Sequence, residues 1–113
     1  MKQITATVPA SRKNAVVDAI NDIVGGFTIT EGRGRGSSKR QTVKMGRGTG
    51  SMTADYNEVV SIATIVPDAD VPRISDVISG AAYTGSPGDG IIVVTDVDSV
   101  LNITTKKSGE QAL

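Results

Sequence analysis

The chain predicts an α+β fold in which two strand–helix–strand units are joined by a long loop, and three observations carry that expectation. Apolar residues alternate at period two in Gln3–Val8 and Val59–Val66, and recur at three- and four-residue steps over Ala15–Val24 and Val71–Ala82. Turn and break residues separate these runs: Pro9, Gly25-Gly26, Pro67 and the stretch Gly85-Ser86-Pro87-Gly88-Asp89-Gly90. From Gly32 to Asp55 neither period is present.

Taken in order, Ile4, Ala6 and Val8 share one face of the first strand, against Gln3, Thr5 and Thr7, and Pro9 ends it. Ser11 is the expected N-cap of the first helix. Ala15, Val16, Ala19, Ile20, Ile23 and Val24 form its apolar stripe, and Gly25-Gly26 stop it. Phe27–Glu31 reads as the second strand, with Phe27 and Ile29 inward. Val59–Val66 is apolar on both faces, which predicts a central or doubly covered strand. Pro67-Asp68 ends it, and Asp70 is expected to cap a second helix with Pro72 in its first turn. Val71, Ile74, Val77, Ile78, Ala81 and Ala82 supply the apolar face of that helix. Ile91–Val94 is the fourth strand. Val97, Val100, Leu101 and Ile103 continue into a short strand or turn, and a polar tail follows at about 104–113. The order β-α-β, loop, β-α-β is the ferredoxin-like βαββαβ arrangement: a four-stranded antiparallel sheet with both helices on one face. The other sheet face would be bare in a monomer, and its Ile- and Val-rich strands predict that another copy covers it.

With 113 residues, the chain is expected to form a single domain over residues 1–113. It has one Phe, two Tyr and no Trp, so the core must be built from Val, Ile and Ala. Such a thin core gains from self-association. The formal net charge is zero, so no global field draws the chain to nucleic acid. The absence of Cys and His removes disulfides, thiolate and imidazole metal sites, Cys nucleophiles and His bases; no metal site is expected. Asp18, Asp22, Glu31, Asp68, Asp70 and Asp76 are scattered, and no Ser/Lys spacing marks a nucleophile–base pair, so no enzyme is expected. MKQITATVPA lacks the apolar core of a signal peptide and no apolar run reaches membrane-spanning length, so the expected location is cytoplasmic.

The segment from Gly32 to Asp55 lies within a flexible loop expected at about 32–57. It holds six of the thirteen glycines and six of the twelve Lys/Arg, and no acid lies between Glu31 and Asp55. Loops of this length tend to be functional or disordered, and this composition predicts disorder in the free chain. Arg33, Arg35, Lys39, Arg40, Lys44 and Arg47 form its candidate partner-docking surface.

Three stretches resemble the PII signal-transduction superfamily. Thr28-Ile29-Thr30-Glu31-Gly32-Arg33-Gly34-Arg35-Gly36 resembles the family's strand end and the start of its long effector loop. Thr84-Gly85-Ser86-Pro87-Gly88-Asp89-Gly90 resembles its TGxxGDG nucleotide-binding loop, and Gly109-Glu110-Gln111-Ala112-Leu113 a common family C-terminus. The resemblance implies a homotrimer that needs no resident cofactor, with an adenine nucleotide as effector in clefts between subunits. It also implies a loop that reaches a transporter or a metabolic enzyme, with no nucleic acid as partner. Glycines suit such a site because they let backbone approach phosphate and aim consecutive N–H groups at it. Carried over by position, Gly34, Gly36 and Ser37 supply loop-base contacts and Thr28 lies near the adenine. Gly85, Gly88, Asp89 and Gly90 form the second wall, although Asp89 is equally suited to an Asx turn. Lys106 and Lys107 serve either as phosphate contacts or as an ordinary solvated tail.

The departures bear on the ligand. The family's Lys after GDG is here Ile91, its two C-terminal phosphate-binding Arg match Asn102 and Thr104, and its loop-base Gln becomes Ser38. Its 2-oxoglutarate-gripping Lys becomes Val59, and its uridylylated Tyr has no counterpart, Tyr56 lying too near the strand. AMP, ADP, ATP and cyclic AMP therefore all stay open. The departures resemble those of PII-like proteins tied to carboxysomes or bicarbonate transport rather than to nitrogen. Two alternatives stand beside this. One is a nucleic-acid-binding module using the Arg/Gly loop, against which the loop offers no aromatic for base stacking. The other is a structural trimer with a decayed nucleotide site.

Overall fold

The computed structural model describes residues 1–36, 42–45, 50–53 and 56–113, and for 42–45 and 50–53 the backbone. The strands are β1 (Lys2–Pro9), β2 (Thr28–Gly34), β3 (Thr42–Met45), β4 (Gly50–Thr53), β5 (Asn57–Val66) and β6 (Ile91–Asp96), with helices α1 (Lys13–Ile20) and α2 (Val71–Ala82). The main sheet has the order β2-β5-β1-β6, and every neighbouring pair is antiparallel. This is the expected ferredoxin-like topology. Each helix carries the chain from a central strand to an edge one, α1 from β1 to β2 and α2 from β5 to β6.

Alternation puts one face of each strand against the helices. Ile4, Ala6 and Val8 of β1 and Val60, Ile62 and Val66 of β5 meet Val16 and Ile20 of α1 and Ile74, Ile78 and Ala82 of α2. All are buried, and no aromatic is among them. Thr64 shares this face and is also buried; its hydroxyl donates to the Gly26 carbonyl at 2.6 Å. That bond satisfies a polar group that would otherwise be costly in an aliphatic core.

The opposite face is more mixed than expected. β5 contributes Val59, Ala63 and Ile65, but β1 contributes Gln3, Thr5 and Thr7. Thr7 and Ser61 share a hydroxyl–hydroxyl bond of 2.9 Å, and the Gln3 amide donates to the Thr5 hydroxyl at 3.2 Å.

Several local expectations are corrected. Ser11 is not an N-cap: it lies within a 3-10 turn, Ala10–Arg12, and Arg12 immediately precedes α1 with no side-chain cap. The tight turn supplies a backbone partner directly, the Lys13 N–H donating to the Ala10 carbonyl. Asp70 does occupy the N-cap position of α2, but its side chain caps nothing and faces Arg73 at 3.7 Å. The regular part of α1 ends at Ile20; Ile23 and Val24 N–H groups both close onto the Ile20 carbonyl, at 3.0 and 3.1 Å. Ile29 points to the core face opposite Ile62, but on edge strand β2 it stays 38% exposed.

The loop also departs from expectation. β2 continues through Gly32 and Arg33 to Gly34, pairing with Asn57–Val59 of β5. Farther out, β3 and β4 form an antiparallel hairpin, Thr42 opposite Thr53 and Met45 opposite Gly50. The C-terminal segment is folded as well. Leu101 bridges Ser108, and the Gly109 N–H donates to the Val100 carbonyl at 3.0 Å.

Candidate functional site: the cleft at the loop base

One end of the sheet collects the end of β1, the start of β5, the start of β6 and the end of β2. Pro9 pairs with Val59, Thr7 with Ile91 and Gly34 with Asn57. The two glycine-rich elements therefore meet there, although 47 residues separate them in sequence (between Gly36 and Thr84). Between them lies a cleft of about 530 Å³. Gly34, Arg35 and Gly36 line one side, Ser86, Gly88, Asp89 and Gly90 the other, and Thr7, Val8, Pro9, Asn57, Val59 and Ile91 the floor and rim. Arg35 is the one cation among these lining residues.

The 84–90 loop is shaped by three left-handed glycines, Gly85, Gly88 and Gly90, with φ of 85°, 97° and 114°. Gly90 has a second constraint. A Cβ there would lie 2.2 Å from the Thr7 carbonyl oxygen, so the loop can return to the sheet only through a residue without a side chain. Asp89 is engaged within the turn: its Oδ2 accepts from the Thr84 N–H at 2.7 Å and the Gly85 N–H at 3.1 Å, and its Oδ1 accepts from the Thr84 hydroxyl. The Thr84 hydroxyl first, then these backbone donors and the nearby Arg12, hold the carboxyl below the usual carboxylate range. These bonds run back to the start of the loop, so they close it rather than form an Asx turn, and Asp89 also lines the cleft.

Other candidates lie elsewhere in the subunit. Thr28 lines a second cleft of about 490 Å³, with Gly25, Gly26, Phe27, Ile65, Asn102 and Leu113. Thr28 pairs with Ala63, four residues along β5 from Val59, which places it roughly 13 Å from the first cleft at strand rise. Lys106 and Lys107 line neither cleft. They sit in the C-terminal hairpin, where Lys106 has a left-handed backbone (φ 63°) and donates its N–H to the Asn102 carbonyl at 2.9 Å. Asn102 organises this turn: its Oδ1 accepts from the Thr104 and Thr105 N–H groups, both at 3.0 Å, and its Nδ2 donates to the Ala112 carbonyl at 3.3 Å.

Among the basic loop residues, Arg33 and Arg35 line different clefts, Arg33 within β2 and Arg35 just beyond its end. Arg33 lines a third cleft with Lys13, Glu31 and Glu58, where Lys13 and Glu31 pair at 3.7 Å. The backbone of Lys44 lies in β3. Ser37, Lys39, Arg40 and Arg47 lie outside the described residues. Sequence reasoning passed over Arg12. It donates to the Ala81 carbonyl of α2 and sits near Asp89; no local pattern marks it, because its partners are distant in the chain.

A ferredoxin-like subunit whose long loop leaves the sheet beside a glycine-lined cleft defines a class of small regulatory proteins rather than enzymes, the PII signal-transduction superfamily. The family model described as Nitrogen regulatory protein P-II matches residues 1–107, and the chain belongs to that family. It is 34% identical to a Nitrogen regulatory protein P-II of Azospirillum brasilense and 35% identical to that of Haemophilus influenzae, over the full length of both chains in each case. It is 32% identical to the Nitrogen regulatory protein GlnK of Escherichia coli K12, again with full coverage of both. Trimeric assembly, adenine-nucleotide binding and control of partner proteins are general properties of the family. Among the described residues no helix is long and apolar enough to cross a membrane.

Proposed function

We propose that this protein is a PII-type regulator whose loop-base cleft takes an adenine nucleotide of low phosphate charge, AMP or cyclic AMP ahead of ATP. One observation carries the preference. Ile91, which replaces the terminal-phosphate lysine that the family resemblance leads one to expect, lines the cleft, and among the described residues Arg35 is the one lining cation. A charge-assisted hydrogen bond contributes roughly 1.5–3 kcal/mol, so the missing ammonium at Ile91 costs a polyphosphate about tenfold or more in affinity. A monophosphate asks for less. Backbone N–H groups of the two glycine elements and Arg35 can meet its charge.

Thr28 and the cleft around it belong to the same proposal as the adenine-facing wall of a neighbouring subunit, with Lys106 and Lys107 arriving from that neighbour. The two half-sites lie in separate clefts roughly 13 Å apart along the sheet, which supports a reading in which a second copy brings one of them to a nucleotide held by the other. Bound nucleotide would favour one arrangement of the loop base, where β2 and β5 part at Gly34 and Asn57, over others. The loop, with Ser37, Lys39, Arg40, Lys44 and Arg47, would then dock a transporter or a metabolic enzyme. Without an ammonium at Val59, 2-oxoglutarate has no evident anchor. The loss of that ammonium supports a reading on the carbon and bicarbonate side of the family's work rather than the nitrogen side.

The test is calorimetric titration with AMP, cyclic AMP, ADP and ATP, each with and without magnesium, bicarbonate and 2-oxoglutarate. One AMP or cyclic AMP per subunit, at least tenfold tighter than ATP, and no effect of 2-oxoglutarate are expected. ATP binding as tight as AMP would refute the charge argument. No heat with any nucleotide would make the site a structural relic.

A further inference from the structure

We infer that Arg12 is a positioning residue for the Thr84–Gly90 loop, clamping the end of α2 to the turn that follows β1. The inference rests on the nucleotide reading only for its effect on affinity; the clamp itself is a statement about the free protein.

Arg12 closes the 3-10 turn that follows Pro9, a residue of the cleft wall. Its side chain reaches the other end of the fold's long sequence gap, where Nη2 donates to the carbonyl of Ala81 in the last turn of α2. The last carbonyls of a helix have no partners within it and form the negative end of its dipole, so a guanidinium is suited to that place on both counts. α2 ends at Ala82, and the candidate loop begins two residues later with Thr84. Thr84 and Gly85 are the residues tied to Asp89, whose carboxylate lies close enough to Arg12 for its charge to help keep it ionised. One cation thus faces the helix end at the start of the loop and the carboxylate near its close.

The Nε of Arg12 is buried with no hydrogen-bond partner. An aliphatic side chain would fill the same space without that cost, so packing alone does not account for an arginine here. The guanidinium end does.

The experiment compares Arg12→Met and Arg12→Lys with the wild-type full chain. Amide exchange is measured without ligand, and AMP affinity is measured by calorimetry. In Arg12→Met, exchange of the Thr84 and Gly85 amides is expected to quicken about tenfold, the loss of one modest interaction, while Ile4 and Ile62 amides in the sheet are unchanged. AMP binding weakens by a similar factor, and Arg12→Lys recovers part of both. If Arg12→Met does not fold, Arg12→Gln, which keeps an N–H donor without the charge, is read in the same way. Thr84 and Gly85 amides as protected as in the wild type would overturn the inference, as would a loosened loop with undiminished AMP affinity. If the wild type itself binds no AMP, the nucleotide reading fails and the exchange comparison alone decides the clamp.

Discussion

Gly90→Ala separates two reasons for a glycine at the cleft. One is room for a ligand; the other is the return of the loop to the sheet. The geometry favours the second. An alanine Cβ would stand 2.2 Å from the Thr7 carbonyl oxygen and 3.0 Å from the Val8 Cα, and the backbone has φ 114°. Relieving the contact requires β1 and the loop to separate by about 1 Å, since ordinary contacts begin near 3.5 Å. A non-glycine residue held in so sparsely populated a region costs roughly 1–3 kcal/mol, and overpacking against fixed backbone about as much again. The sum is about 4 kcal/mol. Unfolding entropy of roughly 2 cal/mol/K per residue converts this to a fall in Tm of roughly 15 °C. Urea and thermal unfolding should be run at one protomer concentration, because assembly shifts the midpoint by mass action. Gly36→Ala is the control: nothing among the described residues lies within 4 Å of a Cβ there, so its stability should stay within about 0.5 kcal/mol. Its effect, if any, should appear in nucleotide titration. A loss below about 1 kcal/mol for Gly90→Ala would refute the close approach of loop and strand.

Three further outcomes can be checked. The folded-state pKa of Asp89 is lowered, chiefly by the Thr84 hydroxyl. Its contribution to stability is therefore complete above the unfolded carboxylate pKa of about 4 and is lost as pH falls through the lower folded value. Denaturation curves taken from pH 7 downward should fall more steeply below about pH 4 for the wild type than for Asp89→Asn; parallel curves would contradict the turn geometry. Ile62→Ala, at a fully buried position in central strand β5, should lose about 2–5 kcal/mol in urea unfolding. Thr64→Val leaves the Gly26 carbonyl without its side-chain donor and should cost about 1–3 kcal/mol, whereas an isosteric swap with no polar consequence would be near neutral.

Where the signal is periodic, the sequence carries the structure plainly. The alternation of Ile4, Ala6 and Val8 and the doubly apolar run of β5 determine which strands are central, and the stripes of α1 and α2 determine which face they cover. Local chemistry was less legible. Ser11 and Asp70 have the right side chains for caps, but 3-10 turns led by Pro9 and Pro67 reach the helices first and supply backbone partners instead. The β3–β4 hairpin shows alternation over only the four residues TVKM and none in GSMT, too short a run among glycines to announce its pairing. At the site, the glycine elements were visible as composition, and their meeting follows from the topology. Arg12 was invisible because its importance depends on Ala81 and Asp89, partners fixed only by the tertiary fold. Asp89 was recognisable as a turn former, but its actual partners, the donors at Thr84 and Gly85, follow only from the closed shape of the loop.

The hydroxyl pair of Thr7 and Ser61 gives the open sheet face an uncommon character. A face of bare valine and isoleucine would be adhesive toward any apolar surface, including those of unfolded chains. A face of unpaired hydroxyls would resist being covered at all. Here two pairs of polar groups, Thr7 with Ser61 and Gln3 with Thr5, arrive already bonded, so a closely fitting partner can cover them without stranding a donor, while a poorly fitting one gains little from contact. Such a face selects its cover by shape more than by greasiness, and it leaves the newly made subunit less exposed to mistaken association before the right surface is found.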